Sequence, residues 1–156
     1  MNRLRLVARD LLSRLTTVPE LRRRKVALAA CEYTVARTGL RDPVIEQALE
    51  ALRHADPAGV PPLGDIESVR EKLDQQYASL YERYGDADPG KWHGTFCKMI
   101  AAECVFYACH DDSLIASSES AFDALAIEKN LDGPQATGVR KLLESVLNAH
   151  ADQRTS

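Results

Sequence analysis

Apolar residues in this chain recur three and four positions apart, and nowhere do β-branched and polar residues alternate over several positions. The first pattern places side chains along one side of a helix, and the lack of the second removes the half-buried strand. The chain is therefore read as all-α, with about seven helices. Leu4, Val7, Ala8, Leu11 and Leu15 define the first helix, over 3–15. Thr17 and Glu20 have the spacing of a capping box for a second helix, which Gly39 ends after Thr38. Asp42-Pro43 supplies an N-cap and a first-turn proline for a third, reaching about His54.

Ala55–Asp65 contains three prolines and two glycines and reads as a loop. Beyond it Ile66, Val69, Leu73, Tyr77, Leu80 and Tyr84 form one apolar seam, the narrow stripe of a helix lying against one or two neighbours. Gly85–Gly90 breaks that helix. The next, about Lys91 to His110, is apolar nearly all round and belongs at the centre. Two more follow, about Ser118 to Lys129 and Pro134 to Ala149, and 151–156 reads as a polar tail.

Displacing the chain by 73 residues sets Lys25 on Lys98, Ala29 on Ala102, Cys31 on Cys104 and Tyr33 on Phe106. Pro61 then meets Pro134, while Ile66, Val69 and Leu73 meet Val139, Leu142 and Val146. Helix starts, loop prolines and apolar phases coincide at this one offset, as in a duplicated unit. The expected organisation is one domain over 1–150: a capping helix at 3–15, one three-helix repeat at 18–84 and a second at 91–149. A helical bundle and a short solenoid-like stack both satisfy it.

A net charge of −3 argues against a protein that coats nucleic acid, but the charge is unevenly placed. Residues 1–25 carry +6 and the remainder −9. Cys31, Cys97, Cys104 and Cys109 lie in apolar helical surroundings with no secretory signal ahead of them, which reads as four reduced thiols in a cytoplasmic protein. Met1–Leu15 is Arg-rich and amphipathic like a transit peptide, but Asp10 favours a native helix. No apolar run approaches the roughly 20 residues that span a bilayer, so no membrane association is expected.

His93 and Cys97 share a helical face and offer two corners of a zinc site, with Cys104 two turns too far to join them. Cys109 and His110 offer ligand types in divergent directions. Core cysteines and helix-end histidines account for all four residues without a cofactor, and none is expected. Cys97 is the thiol best placed for activation by a histidine. No phosphate loop, serine elbow or paired Glu-x-x-His motif occurs. Arg22, Arg23, Arg24 and Lys25 offer a basic surface for an acidic partner, but four consecutive residues spread around a helix and cannot grip one nucleic-acid groove. Tyr81 falls off the apolar seam, and with Trp92 it offers interface anchors near acidic Glu82, Asp86 and Asp88, then Asp111 and Asp112.

Leu28-Ala29-Ala30-Cys31-Glu32, Asp42-Pro43 and Ala48-Leu49-Glu50-Ala51-Leu52-Arg53 together resemble the start of a group of small, alanine-rich, all-helical immunity proteins of bacterial toxin systems. Ala101-Ala102-Glu103-Cys104 is a second, shorter likeness. The resemblance implies a protein that binds and blocks a toxin without catalysis. This chain lacks that group's later run of Ala and His, and no site residue is carried over. The expected function is a non-enzymatic protein-binding module, with Tyr81, Trp92, Asp86, Asp88, Arg22, Arg23 and Arg24 as its binding residues. A metal- or thiol-dependent protein built on His93 and Cys97 is the first alternative. A nucleic-acid accessory using the basic region is the second.

Overall fold

The computed structural model describes residues 2–154, and the side chains of 2–149. Eight α-helices follow one another among the described residues, with no strand: α1 (Leu4–Val7), α2 (Arg9–Thr17), α3 (Glu20–Thr38), α4 (Pro43–Arg53), α5 (Leu63–Tyr84), α6 (His93–Ala108), α7 (Ser113–Asp132) and α8 (Gly138–Arg154). Single 3-10 turns at Pro57–Gly59, Gly85–Ala87 and Pro89–Lys91 fill the longer connections. Three helices, α3, α6 and α7, pack on one another at the centre; α5 lies along α6, α8 along α3, and α1 and α2 on α7.

The local signals explain most boundaries. Gly39 closes α3 in the left-handed conformation (φ 70°), and its N–H donates to Val35 O. Asp42 accepts from Val44 N at 2.8 Å ahead of Pro43 and so starts α4. The seam on α5 faces α6, with Ile66 fully buried and Val69, Leu73, Tyr77, Leu80 and Tyr84 half-buried.

Elsewhere tertiary contacts override the local pattern. The helix expected over 3–15 is broken at Ala8 (φ −153°, ψ 65°), because Arg3 and Leu4 are drawn down onto α6 and α7 and Leu4 is fully buried. The capping box at Thr17 does not form: its hydroxyl donates back to Arg14 O, and α3 starts from extended Pro19. Helix α7 begins at Ser113, ahead of the expected Ser118, since Asp112 accepts from Leu114 N and Ile115 N. Helix α8 begins at Gly138 rather than Pro134, where Glu128 of α7 accepts from Val139 N at 2.8 Å. It continues to Arg154, through 151–154 where a tail was expected, since no Gly or Pro stops it; Thr155 and Ser156 lie outside the described residues.

Helix α7 is as central as α6 and has an unusual interior face. Ser113, Ser117, Ser118, Ser120, Glu119, Asp123 and Glu128 are buried alongside Ala116, Ala121, Ala124 and Ile127. Two pairs of residues 73 apart occupy comparable places, whereas the starts of α4 and α7 and of α5 and α8 do not keep that spacing. Cys31 and Cys104 meet at the centre with sulfurs 3.8 Å apart, and Glu20 and His93, the first residues of α3 and α6, are also 73 apart. The two halves nevertheless pack differently, α7 between α3 and α6 and α4 at the periphery.

Replacing Asp42 by Ala should lower stability by about 1 kcal/mol, whereas Thr17→Ala should change it by less than about 0.5 kcal/mol. Urea unfolding of the two variants checks this; a larger loss at Thr17 would restore the capping box.

Candidate functional site

The turn between α5 and α6 gathers the aromatic side chains. Tyr77 meets Tyr81, Trp92 and Phe96 with ring centroids 5.9, 5.5 and 5.1 Å away, and Tyr81 meets Trp92 edge-on at 5.4 Å. Gly85 makes the turn possible (φ 59°), and Trp92 Nε1 donates to its carbonyl at 2.9 Å, tying the two helix ends together. The Tyr81 hydroxyl donates to Asp86 Oδ1 at 2.9 Å; that carboxylate raises the tyrosine's pKa by favouring the protonated phenol. Tyr84 lies under Arg83 and Lys91, at 5.3 and 5.5 Å. Tyr81 keeps 37% of its surface exposed, Trp92 is half-buried, and Glu82, Asp86 and Asp88 are exposed around them. Tyr81, Trp92, Asp86 and Asp88 therefore share one turn. Asp111 and Asp112 do not join them, since α6 with its 16 residues sets them about 24 Å away.

The basic run lies at that far end of α6. Arg22 is buried at 3% exposure and donates to Val146 O of α8 at 3.0 Å. Arg23 donates to Leu15 O at 2.8 Å and Thr16 O at 3.2 Å, at the end of α2. Arg24 donates to His110 O and Asp111 O, both at 2.6 Å, just past the end of α6. Carbonyls at helix C-termini lack intrahelical donors and carry the negative end of the dipole, so α3 satisfies two of its neighbours with guanidinium groups. The buried Arg22 cannot reach a partner, and the run is separated from the aromatic turn. Arg5, Arg9 and Lys25 remain exposed.

His93 and Cys97 do meet, Nε2 to Sγ at 3.8 Å, but the same nitrogen lies 3.3 Å from Asn130 Oδ1. A general base needs one ring nitrogen for the thiol and the other for its orienting partner. Here both neighbours share one. Burial raises the Cys97 pKa, and it pushes Cys109 up to about 11 against the opposing pull of Arg24. The Cys31 thiol is also raised well above its usual range, by burial and then by its contact with Cys104. Among the described residues no three His, Cys, Asp or Glu side chains are grouped to hold a metal ion. Cys109 is half-buried, and His110 turns back to accept from Asp112 N at 3.0 Å.

A further cluster joins α6 and α7 to the N-terminal residues. Arg3 Nε donates to Glu119 Oε2 at 2.5 Å, Nη1 to Glu103 Oε2 at 3.3 Å, and Nη2 lies 3.3 Å from Asp123 Oδ1. The guanidinium carbon sits 4.4 Å from the Phe122 ring centroid and 5.2 Å from that of Tyr107. Burial opposes the charge on Arg3, but Asp123, Glu119 and Glu103 outweigh it and hold the group ionised. Burial pushes the Asp123 carboxyl well above the usual range; the Cys104 thiol and Glu103 add to the rise and Arg3 opposes it. The one local signal is Glu119 and Asp123, four apart on one side of a helix rich in alanine and serine.

Between α3 and α4 runs a cleft of about 490 Å³ lined by Glu32, Arg41, Glu46, Glu50 and Arg53. Arg53 pairs across it with Glu32 at 3.9 Å, and along its α4 side Arg53 pairs with Glu50 at 3.5 Å and Arg41 with Glu46 at 3.9 Å. No helix of the described residues is long and apolar enough to cross a membrane. No family model, curated protein or solved structure matches this chain.

Arg23→Ala and Arg24→Ala should each cost roughly 1.5–3 kcal/mol, the range for hydrogen bonds from charged groups, and Lys25→Ala less than about 0.5 kcal/mol. Urea unfolding measures all three; equal, negligible losses would mean that the arginines do not staple the helix ends.

Proposed function

We propose that this chain is a non-enzymatic helical module that acts by binding another protein, as an inhibitor or immunity-type factor that blocks its partner. The observation that carries the reading is the aromatic turn between α5 and α6. Tyr81 and Trp92 stand at a fixed, hydrogen-bonded turn, and tyrosine and tryptophan supply a large share of binding energy at protein interfaces. Glu82, Asp86 and Asp88 around them suit a partner with a basic surface, and the charges set encounter rate and orientation more than affinity. The inhibitory role itself rests on the resemblance to immunity proteins.

Other features support a binder over an enzyme or a nucleic-acid protein. The thiols Cys31, Cys97 and Cys109 are held protonated by burial, away from the thiolate form that attacks or binds metal. Arg22, Arg23 and Arg24 are occupied with backbone carbonyls. Three buried thiols and one half-buried thiol in an apolar interior suit a protein of the reducing cytoplasm. The same reading takes the chain as a doubled three-helix unit, with Cys31 and Cys104 facing each other as equivalent residues do across a two-fold axis.

The test begins with capture of a partner at high salt in the presence of nuclease, followed by affinity measurement with variants. Tyr81→Ala and Trp92→Ala should each weaken the complex about tenfold or more, with far-ultraviolet circular dichroism unchanged. Full affinity in both variants would remove this face. Retention of nucleic acid alone would remove the protein-binding reading.

A further inference from the structure

Nothing in the sequence of 3–17 breaks a helix: it contains neither Gly nor Pro, and Leu4, Val7, Ala8, Leu11 and Leu15 keep one face throughout. Sharp breaks in helices nearly always have a Gly, a Pro or an inserted group at the bend. The break at Ala8 is instead held from a distance, by the docking of Arg3 among Glu103, Glu119 and Asp123 and by the burial of Leu4. When that docking is released, the local preference of these residues is one straight helix through α1 and α2.

The docked arginine does not complete its site. Three acidic side chains surround a single cation, and the buried Arg3 Nη2 and Asp123 Oδ2 both lack a hydrogen-bond partner among the described residues. Asp123 is 1% exposed, so its oxygen finds no compensation from bulk water. A guanidinium free of the short α1 helix can set its planar fork of five donors against Asp123, where a cation opposes the rise of the buried carboxyl and favours its ionised form. The Phe122 and Tyr107 rings beside it favour a flat, weakly hydrated cation over a compact ammonium. Asn2 and Leu4 define the flanks of the site. Asn2 donates to Ser118 Oγ at 2.6 Å, and Leu4 fills an apolar position at 0% exposure.

We propose that the face of α6 and α7 on which Arg3 and Leu4 dock is a recognition site for an arginine side chain presented by another protein chain, with a leucine-like residue beside it. Asn2–Val7 is its built-in occupant, displaced when α1 and α2 join into one helix. The incoming arginine takes the place of Arg3 against Glu103, Glu119 and Asp123, and the neighbouring apolar residue refills the position of Leu4. This site lies apart from the aromatic turn and stands or falls independently of it.

The test uses the full chain carrying Arg3→Ala and, as probe, a fluorescent peptide of residues 1–8. The Arg3→Ala chain should bind this peptide at least tenfold more tightly than the wild type, whose own Arg3 competes. Its melting temperature should rise on binding. A peptide with Lys in place of its third residue should bind about tenfold more weakly, and Glu119→Gln added to Arg3→Ala should abolish binding. Should Arg3→Ala fail to fold, Arg3→Lys keeps a cation in place and should still yield to the arginine peptide. Equal peptide affinity for wild type and variant, equal affinity for the lysine peptide, or rejection of the peptide by a folded Arg3→Lys chain would each overturn the proposal.

Discussion

The fold depends on how closely α3, α6 and α7 approach one another, and small side chains set that approach. Ala27, Ala30 and Cys31 on α3, Ala101, Ala102, Cys104 and Ala108 on α6, and Ala116, Ala121 and Ala124 on α7 are all buried. The contact is close enough for side chains to reach the neighbouring backbone. Ser120 Oγ donates to Cys104 O at 3.0 Å, and the Cys31 thiol lies 3.6 Å from the same carbonyl. Alanine contributes little apolar area, so the larger buried residues sit around this contact: Leu4, Leu11, Leu15, Ile45, Ile66, Val139 and Leu143. An added methylene at the centre pushes helices apart and typically costs about 1–3 kcal/mol.

With the centre fixed, the polar groups fall into place. The guanidinium groups of α3 cover carbonyls at the ends of α2 and α6, and Glu128 of α7 covers the start of α8. These bonds join elements whose own termini would otherwise be unsatisfied, so they fix the order in which helices surround the core. The two ends of α6 consequently differ. One end is closed by Arg24, and the other opens into the aromatic turn. The charged cluster at Arg3 is a separate case, because a buried ion pair stabilises only when its remaining lone pairs and donors are matched, and here two are not.

The parts of this arrangement that were legible in the sequence are those fixed by neighbours along the chain. Gly39, Asp42-Pro43, the seam from Ile66 to Tyr84 and the all-round apolar character of α6 each act within a turn or two. Tyr81, Trp92, Asp86 and Asp88 came together because a single turn carries them. What could not be read was set by partners far away in sequence. Arg3 meets residues 100 to 120 positions on, and this contact breaks the helix at Ala8. Arg22–Arg24 read as a free basic surface in the sequence because the carbonyls that accept from Arg22 and Arg24 lie on α8 and beyond the end of α6. Helix α7 reads short in the sequence because its inner face carries serine and acid rather than leucine, and its start depends on the side chain of Asp112.

Native-state hydrogen exchange read residue by residue tests most directly whether α3, α6 and α7 form the unit on which everything else is placed. The account predicts that amides in all three helices exchange only through global unfolding, with one shared free energy. Amides of Leu6–Ala8 should exchange through a separate, low-energy opening. Exchange of α7 by local opening, or a most-protected core in α5 instead of α3, α6 and α7, would contradict it.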